Sequence, residues 1–142
     1  MSLAKYRHPR LIIQNPKTPV QSAARAMEAN RVGTVIVQDH GKVVGLVTDR
    51  DLALRVVGGG LDPKTTTLGE VMTTDVATLP IDADQVEAVR LMKERNARRI
   101  PLVEGHRVVG IVTLDDLLLD EAAPLEELAS IVRAQIGEGG PA

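Results

Sequence analysis

The chain has 142 residues, with 17 Lys and Arg against 19 Asp and Glu, a net charge of −2 at pH 7. A length of this order fits one ordinary domain or two small subdomains sharing a core, and 44% apolar with 25% charged residues is globular composition. The slight acidity argues against a protein that tracks nucleic-acid phosphates, a single Tyr6 without Phe or Trp excludes base-stacking platforms, and the lack of cysteine excludes disulfides, thiolate nucleophiles and cysteine-ligated metal.

In chain order, Met1 to Arg10 has no apolar core of the signal-peptide kind, and its first three residues carry no assigned meaning. A short extended piece, Leu11 to Ile13, is followed by a polar turn containing Pro16. Val20, Ala23, Ala24 and Met27 at i, i+3, i+4 and i+7 predict an amphipathic helix. Two β-branched runs, Thr34–Val37 and Val43–Val47, flank a Gly-containing turn and predict a hairpin. A second helix starts after Thr48 and stops at Gly58-Gly59-Gly60, which opens a linker from Leu61 to Thr67.

The same series then returns. Val76 to Leu79 is extended and Pro80 marks the turn. Val86, Ala88, Val89 and Met92 form a helix stripe, Ile100–Val103 and Val108–Val112 form a hairpin, and a helix starts after Thr113. Val43-Val44-Gly45-Leu46-Val47-Thr48 reappears as Val108-Val109-Gly110-Ile111-Val112-Thr113, 65 residues later, so the chain reads as a tandem duplication. Aligning Val35-Ile36-Val37 with Pro101-Leu102-Val103 makes the first hairpin turn one residue longer than the second. A further helix from Pro124 carries Leu125, Leu128, Val132 and Ile136 on one stripe, expected to pack across the module or against a second subunit. No stretch approaches the roughly 18 apolar residues of a membrane span, so a soluble, cytoplasmic protein is expected.

Each β-α-β-β-α unit is too small to bury its apolar faces alone, which predicts an α/β (α+β) fold of two repeats packed about a pseudo-twofold axis. The expected organisation is an N-terminal segment (1–9), a first repeat (10–57), a linker (58–69), a second repeat (70–121), a C-terminal helix (122–137) and a tail (138–142). Gly45–Leu52 with Gly110–Leu117, together with Arg99–Val103 and Val71-Met72-Thr73, resembles a tandem pair of cystathionine β-synthase (CBS) domains, a Bateman module. The resemblance covers roughly residues 10 to 121. Arg7-His8-Pro9-Arg10 departs from the lead-in expected by the family before the first repeat.

Thr48 and Asp51, like Thr113 and Asp116, stand three apart at a helix start, the spacing of a capping box. A helix N-terminus also offers N–H groups and positive dipole to an anion, and an acid beside it can accept ribose hydroxyls. The resemblance implies that Asp51 and Asp116 bind ribose, and that Thr48 and Thr113 contact phosphate or ribose. It also places the segments at Ile12 and Thr78 beside adenine in clefts between the repeats. Arg50, whose counterpart is Asp115, can grip phosphate bidentately where Asp115 would repel it, and Arg98 and Arg99 stand where the family often places phosphate-contacting cations.

The expectation is thus a regulatory sensor binding AMP, ADP or ATP, with S-adenosylmethionine or a dinucleotide also open. It needs no cofactor and acts in trans on an effector protein; the family implies a homodimer. The alternative is an interaction module that has lost nucleotide binding. His8, His40 and His106 make no convincing metal site, and no residue constellation nominates a nucleophile or general base. Enzymatic activity, nucleic-acid binding and membrane association are not expected.

Overall fold

The computed structural model describes residues 1–8 and 11–137; Pro9, Arg10 and the tail at 138–142 lie outside the described residues. Two compact units emerge: Met1–Pro9 with Ala77–Ala142, and Arg10–Val76. The fold is a mixed α+β one, each unit holding a three-stranded sheet.

In the unit of the first repeat, β1 (Ile13–Gln14) pairs parallel with β2 (Thr34–Asp39), which pairs antiparallel with β3 (Lys42–Thr48). Helix α1 (Val20–Asn30) crosses between β1 and β2; α2 (Asp49–Asp51) follows β3 and continues as a π-helical turn over Leu52–Val57, and α3 (Leu68–Val71) closes the unit. The other unit repeats the order with β4 (Leu79–Pro80), α4 (Gln85–Arg95), β5 (Arg99–Glu104), β6 (Arg107–Thr113) and α5 (Leu114–Leu119), then adds α6 (Leu125–Gly137). Alternation along the strands explains the core: Val35, Val37 and Val47 are fully buried with Val20, Ala23, Met27, Val56, Leu68 and Val71. Ile100, Leu102 and Val112 do the same with Ala88, Val89, Met92, Leu114 and Leu117.

The strand registers correct the repeat alignment. Val35 faces Val47 and Ile100 faces Val112, so the 65-residue spacing of the motif holds in the first strands of the hairpins too. Both ladders slip at equivalent places, between Val37 and Gln38 and between Leu102 and Val103. Both turns then hold two residues, His40-Gly41 and Gly105-His106. No residue was inserted. The glycine changed place within the turn, second in one and first in the other, where its positive φ (79° and 65°) is needed.

Two helix stripes also differ from expectation. In α4 the buried residue of the first turn is Gln85, with Val86 58% exposed, because Gln85 occupies the place of Val20 and hydrogen-bonds inside the unit. In α6 the buried residues are Leu128 and Ile131, while Leu125 and Ile136 are exposed. That helix packs on α4 and α5 of its own unit, so only its middle turns cover core and its ends overhang.

The N-terminal segment is part of the fold. Leu3, without meaning in the sequence, is fully buried, and Tyr6 nearly so. Leu3–Tyr6 forms a 3₁₀ turn capped by the Ser2 hydroxyl, as Leu68–Val71 follows Thr67. The Leu3 N–H donates to the Ala83 carbonyl and the Leu68 N–H to that of Thr18; the Gln85 N–H donates to Met1 and the Val20 N–H to Thr66. Each of these pairs of bonds repeats at the same 65-residue spacing. The segment at residues 1–8 is therefore the counterpart of 66–73, and each lead-in docks on one unit.

Candidate functional site

The candidate residues cluster where each hairpin runs into its helix. The last strand residue, Thr48 or Thr113, keeps an extended backbone and becomes the helix N-cap. The Asp51 N–H donates to Thr48 Oγ1 at 3.2 Å, and Asp51 Oδ2 accepts the Thr48 N–H at 2.9 Å. The second repeat has the same two distances between Asp116 and Thr113, and the Thr113 hydroxyl also donates to Asp116 Oδ2 at 2.9 Å. Both capping boxes are complete. Such a cap stabilises its helix by about 0.5–2 kcal/mol.

The caps use only one carboxylate oxygen. Oδ1 of Asp116 accepts no hydrogen bond from a described residue, and Oδ1 of Asp51 has only Arg55, at 3.8 Å. Both acids are partly exposed. Each site thus holds an immobilised carboxylate with one oxygen not taken by a hydrogen bond, that of Asp51 paired at longer range with Arg55, a pattern that suits a polyol hydroxyl.

The strand entry completes each site. The Asp49 N–H donates to the Gly33 carbonyl and the Leu114 N–H to that of Arg98, both at 2.9 Å, which draws the residue before β2 or β5 onto the helix start. The charges there differ between repeats. In the first, a Cβ on Gly33 would lie 2.9 Å from the Asp49 carboxylate, so the acid fills the space where a side chain would stand. Arg50 projects from the same turn, exposed and without an ion pair among the described residues. In the second, Arg98 takes the place of Gly33 and its guanidinium lies 3.8 Å from Asp115. Arg98 and Asp115 therefore partly cancel each other's charge, as an exposed and weakly stabilising pair.

Of the other candidates, Arg99 starts β5 opposite Thr113 and is half-buried. Ile12 packs its side chain against the first core, and its carbonyl accepts the Ile36 N–H at 2.9 Å. Thr78 is exposed just before β4. Ile12 and Thr78 are not counterparts, since the registers match Gln14 with Leu79. The counterpart of Ile36 is Pro101, which has no N–H to offer the segment before β4.

Sequence reasoning missed Gly45 and Gly110. A Cβ on Gly110 would stand 2.5 Å from the Tyr6 carbonyl oxygen, and one on Gly45 would stand 2.6 Å from Met72 Sδ and 2.9 Å from the Thr73 carbonyl. The glycine of the repeated motif is thus the groove floor for a lead-in, and its recurrence at one spacing was the available signal. Among the described residues no three His, Cys, Asp or Glu side chains group as metal ligands, and no helix is long and apolar enough to cross a membrane.

Comparison with known proteins agrees with this architecture. The chain matches the CBS domain over residues 15–58 and again over 68–123. It is 36% identical over 107 residues to the CBS domain-containing protein YhcV of Bacillus subtilis, covering 75% of this chain and 76% of that protein. The crystal structure of hypoxic response protein I with two coordinated zinc ions superposes with a TM-score of 0.73 at 28% identity, over 84% of this chain and 98% of that one. The CBS domain pair of protein MJ0100, in complex with 5′-methylthioadenosine and S-adenosyl-L-methionine, gives a TM-score of 0.73 at 25% identity, over 85% and 99%. Proteins built from such pairs are typically regulatory. Two matched repeats, one motif pair at constant spacing and one shared fold place this chain in the CBS domain family.

Proposed function

We propose that this protein is a non-catalytic sensor of adenosine-containing ligands that signals to a partner protein through its conformation or assembly as a homodimer. The observation that carries the reading is the pair of fixed carboxylates, Asp51 and Asp116, each with Oδ2 engaged by its cap, while Oδ1 of Asp116 takes no hydrogen bond from a described residue and Oδ1 of Asp51 faces only Arg55, at 3.8 Å. A cis-diol needs an acceptor of this kind, and in the first repeat an anionic group beside it would be met by side chains, because the N–H groups of Asp49, Arg50 and Asp51 are already bonded to Gly33, Asp49 and Thr48. The relative solved with two adenosine derivatives supports this choice of ligand class.

The charge difference gives the two repeats different ligands. Arg50 lies open for a di- or triphosphate in the first, with Thr48 next to it. In the second, an anion must compete with Asp115 for Arg98, with Arg99 alongside, so a less charged adenosine derivative fits better. The backbone at Ile12 and Thr78 is the proposed border of the base.

Isothermal titration with adenosine, AMP, ADP and ATP tests the reading. Asp51→Ala is expected to weaken binding at the first site about tenfold or more, the loss of charge-assisted hydrogen bonds worth roughly 1.5–3 kcal/mol. Loss of the cap alone would lower stability without changing a saturating enthalpy. Arg50→Asp is expected to reduce ATP affinity at least tenfold while adenosine changes little. No binding by the parent chain to any of the four would favour an interaction module instead.

A further inference from the structure

Each unit clamps its lead-in with the same helix position, but with opposite chemistry. In the unit of the first repeat that position is Arg55, whose guanidinium donates to the Val71 carbonyl at 2.6 Å. Its counterpart in the other unit is Asp120. Asp120 Oδ2 accepts the Tyr6 hydroxyl at 2.6 Å and lies 2.9 Å from the Lys5 ammonium. The Tyr6 oxygen in turn accepts from Gln85 Nε2 at 2.8 Å, which accounts for a glutamine buried at a core position of α4. On the lead-ins, Lys5 corresponds to Glu70 and Tyr6 to Val71.

We propose that the residue at helix position 55 or 120 is a selector that decides which lead-in each unit accepts, so that the segment at 1–7 docks on the second-repeat unit and the segment at 66–72 on the first. The backbone frame does not discriminate, because both lead-ins make equivalent main-chain bonds at the same spacing. The side chains do. The 66–72 segment laid against Asp120 would bring Glu70 toward a carboxylate and offer Val71 where a hydroxyl is needed. The 1–7 segment laid against Arg55 would bring Lys5 toward a guanidinium. Each wrong pairing sets like charges together and leaves hydrogen-bonding groups unmatched. The lead-in at 66–72 directly precedes the second repeat in the chain, so the short-range choice would be the wrong one. A selector makes the crossed connection the stable one.

The neighbours of Tyr6 support the arrangement. Burial, then the bond to Asp120, pushes its hydroxyl up to about 12, with Asp116 adding in the same direction. The Asp120 carboxyl is held below its usual range by Tyr6 and then Lys5. As the single tyrosine of a chain without tryptophan, Tyr6 reports on this site alone.

The test gives the 1–7 segment the features of its counterpart and then changes the selector to match. Lys5→Glu with Tyr6→Val is expected to lower the thermal midpoint by roughly 10 °C by circular dichroism. Adding Asp120→Arg is expected to return a third or more of that loss, since an arginine there can bond the carbonyl of residue 6 as Arg55 bonds Val71. A triple variant no more stable than the double overturns the proposal. If the double variant does not fold, Lys5→Glu alone and with Asp120→Arg carries the same comparison. The phenol titration followed at 295 nm is expected to shift downward on Asp120→Arg, as the Asp120 bond and charge are lost while burial still raises it, and the absence of any downward shift would show that Asp120 does not hold the Tyr6 hydroxyl and overturn the proposal.

Discussion

Gly110→Val is expected to drive the N-terminal lead-in out of its groove and to cost about 3 kcal/mol, the upper end of what overpacking costs, because the contacts are with main chain. The reason is where a Cβ would go. It would meet the Tyr6 carbonyl oxygen at 2.5 Å, the Arg7 Cα at 3.1 Å and the Tyr6 carbonyl carbon at 3.2 Å. All three are main-chain atoms, so no side-chain rotation relieves the contact. The lead-in would have to lift, losing the bridge between Arg7 and Gly110, the bond from the His8 N–H to the Val109 carbonyl and the burial of Leu3 and Tyr6. Gly45→Val should cost less, because the two atoms nearest its Cβ belong to the flexible Met72 side chain and only the Thr73 carbonyl oxygen, at 2.9 Å, is main chain. Thermal unfolding separates the two, and limited proteolysis should find new cleavage within the first eight residues of the Gly110 variant only. A Gly110→Val midpoint within a degree or two of the parent would mean that the lead-in does not lie on this floor.

The second large effect is expected from Leu3→Ala. Leu3 is fully buried against the core of its unit, and truncating such a leucine typically costs about 2–5 kcal/mol through lost transfer energy and the cavity left behind. Its counterpart Leu68 is also fully buried, with its N–H bonded in the equivalent way. Leu68→Ala should therefore lose a similar amount. Urea unfolding checks both, with the slope unchanged and the midpoint lowered. A neutral Leu3→Ala would reduce the N-terminal segment to a surface strand.

The repeat was legible because a sheet and its helix impose strong periodicity on short apolar runs, and because two copies of one motif reinforce each other. The capping boxes were legible for a local reason. Thr48 and Asp51, or Thr113 and Asp116, complete their bonds within four residues, so no tertiary information is needed. The position of Gln85 was not legible. Val86 is the apolar residue and Gln85 the polar one, yet Tyr6, 79 residues away in the chain, supplies the partner that lets the amide be buried. The turns misled the alignment for a similar reason: glycine can serve at either residue of a two-residue turn, so matching glycines shifts a register that the ladder holds constant.

The duplication, the α+β class, the helix starts that carry the candidate carboxylates and the contrast of Arg50 with Asp115 could all be read from the chain, because each rests on local pattern or on residues close in sequence. That Arg98 faces Asp115, that the glycine of the repeated motif is a groove floor, and that residues 1–8 complete the unit of the second repeat emerged from tertiary contacts. Those facts join residues far apart in the chain. Leu3 and Tyr6 show no periodicity of their own, and their burial depends on a groove that Gly110, Asp120 and Gln85 form only after the chain has folded.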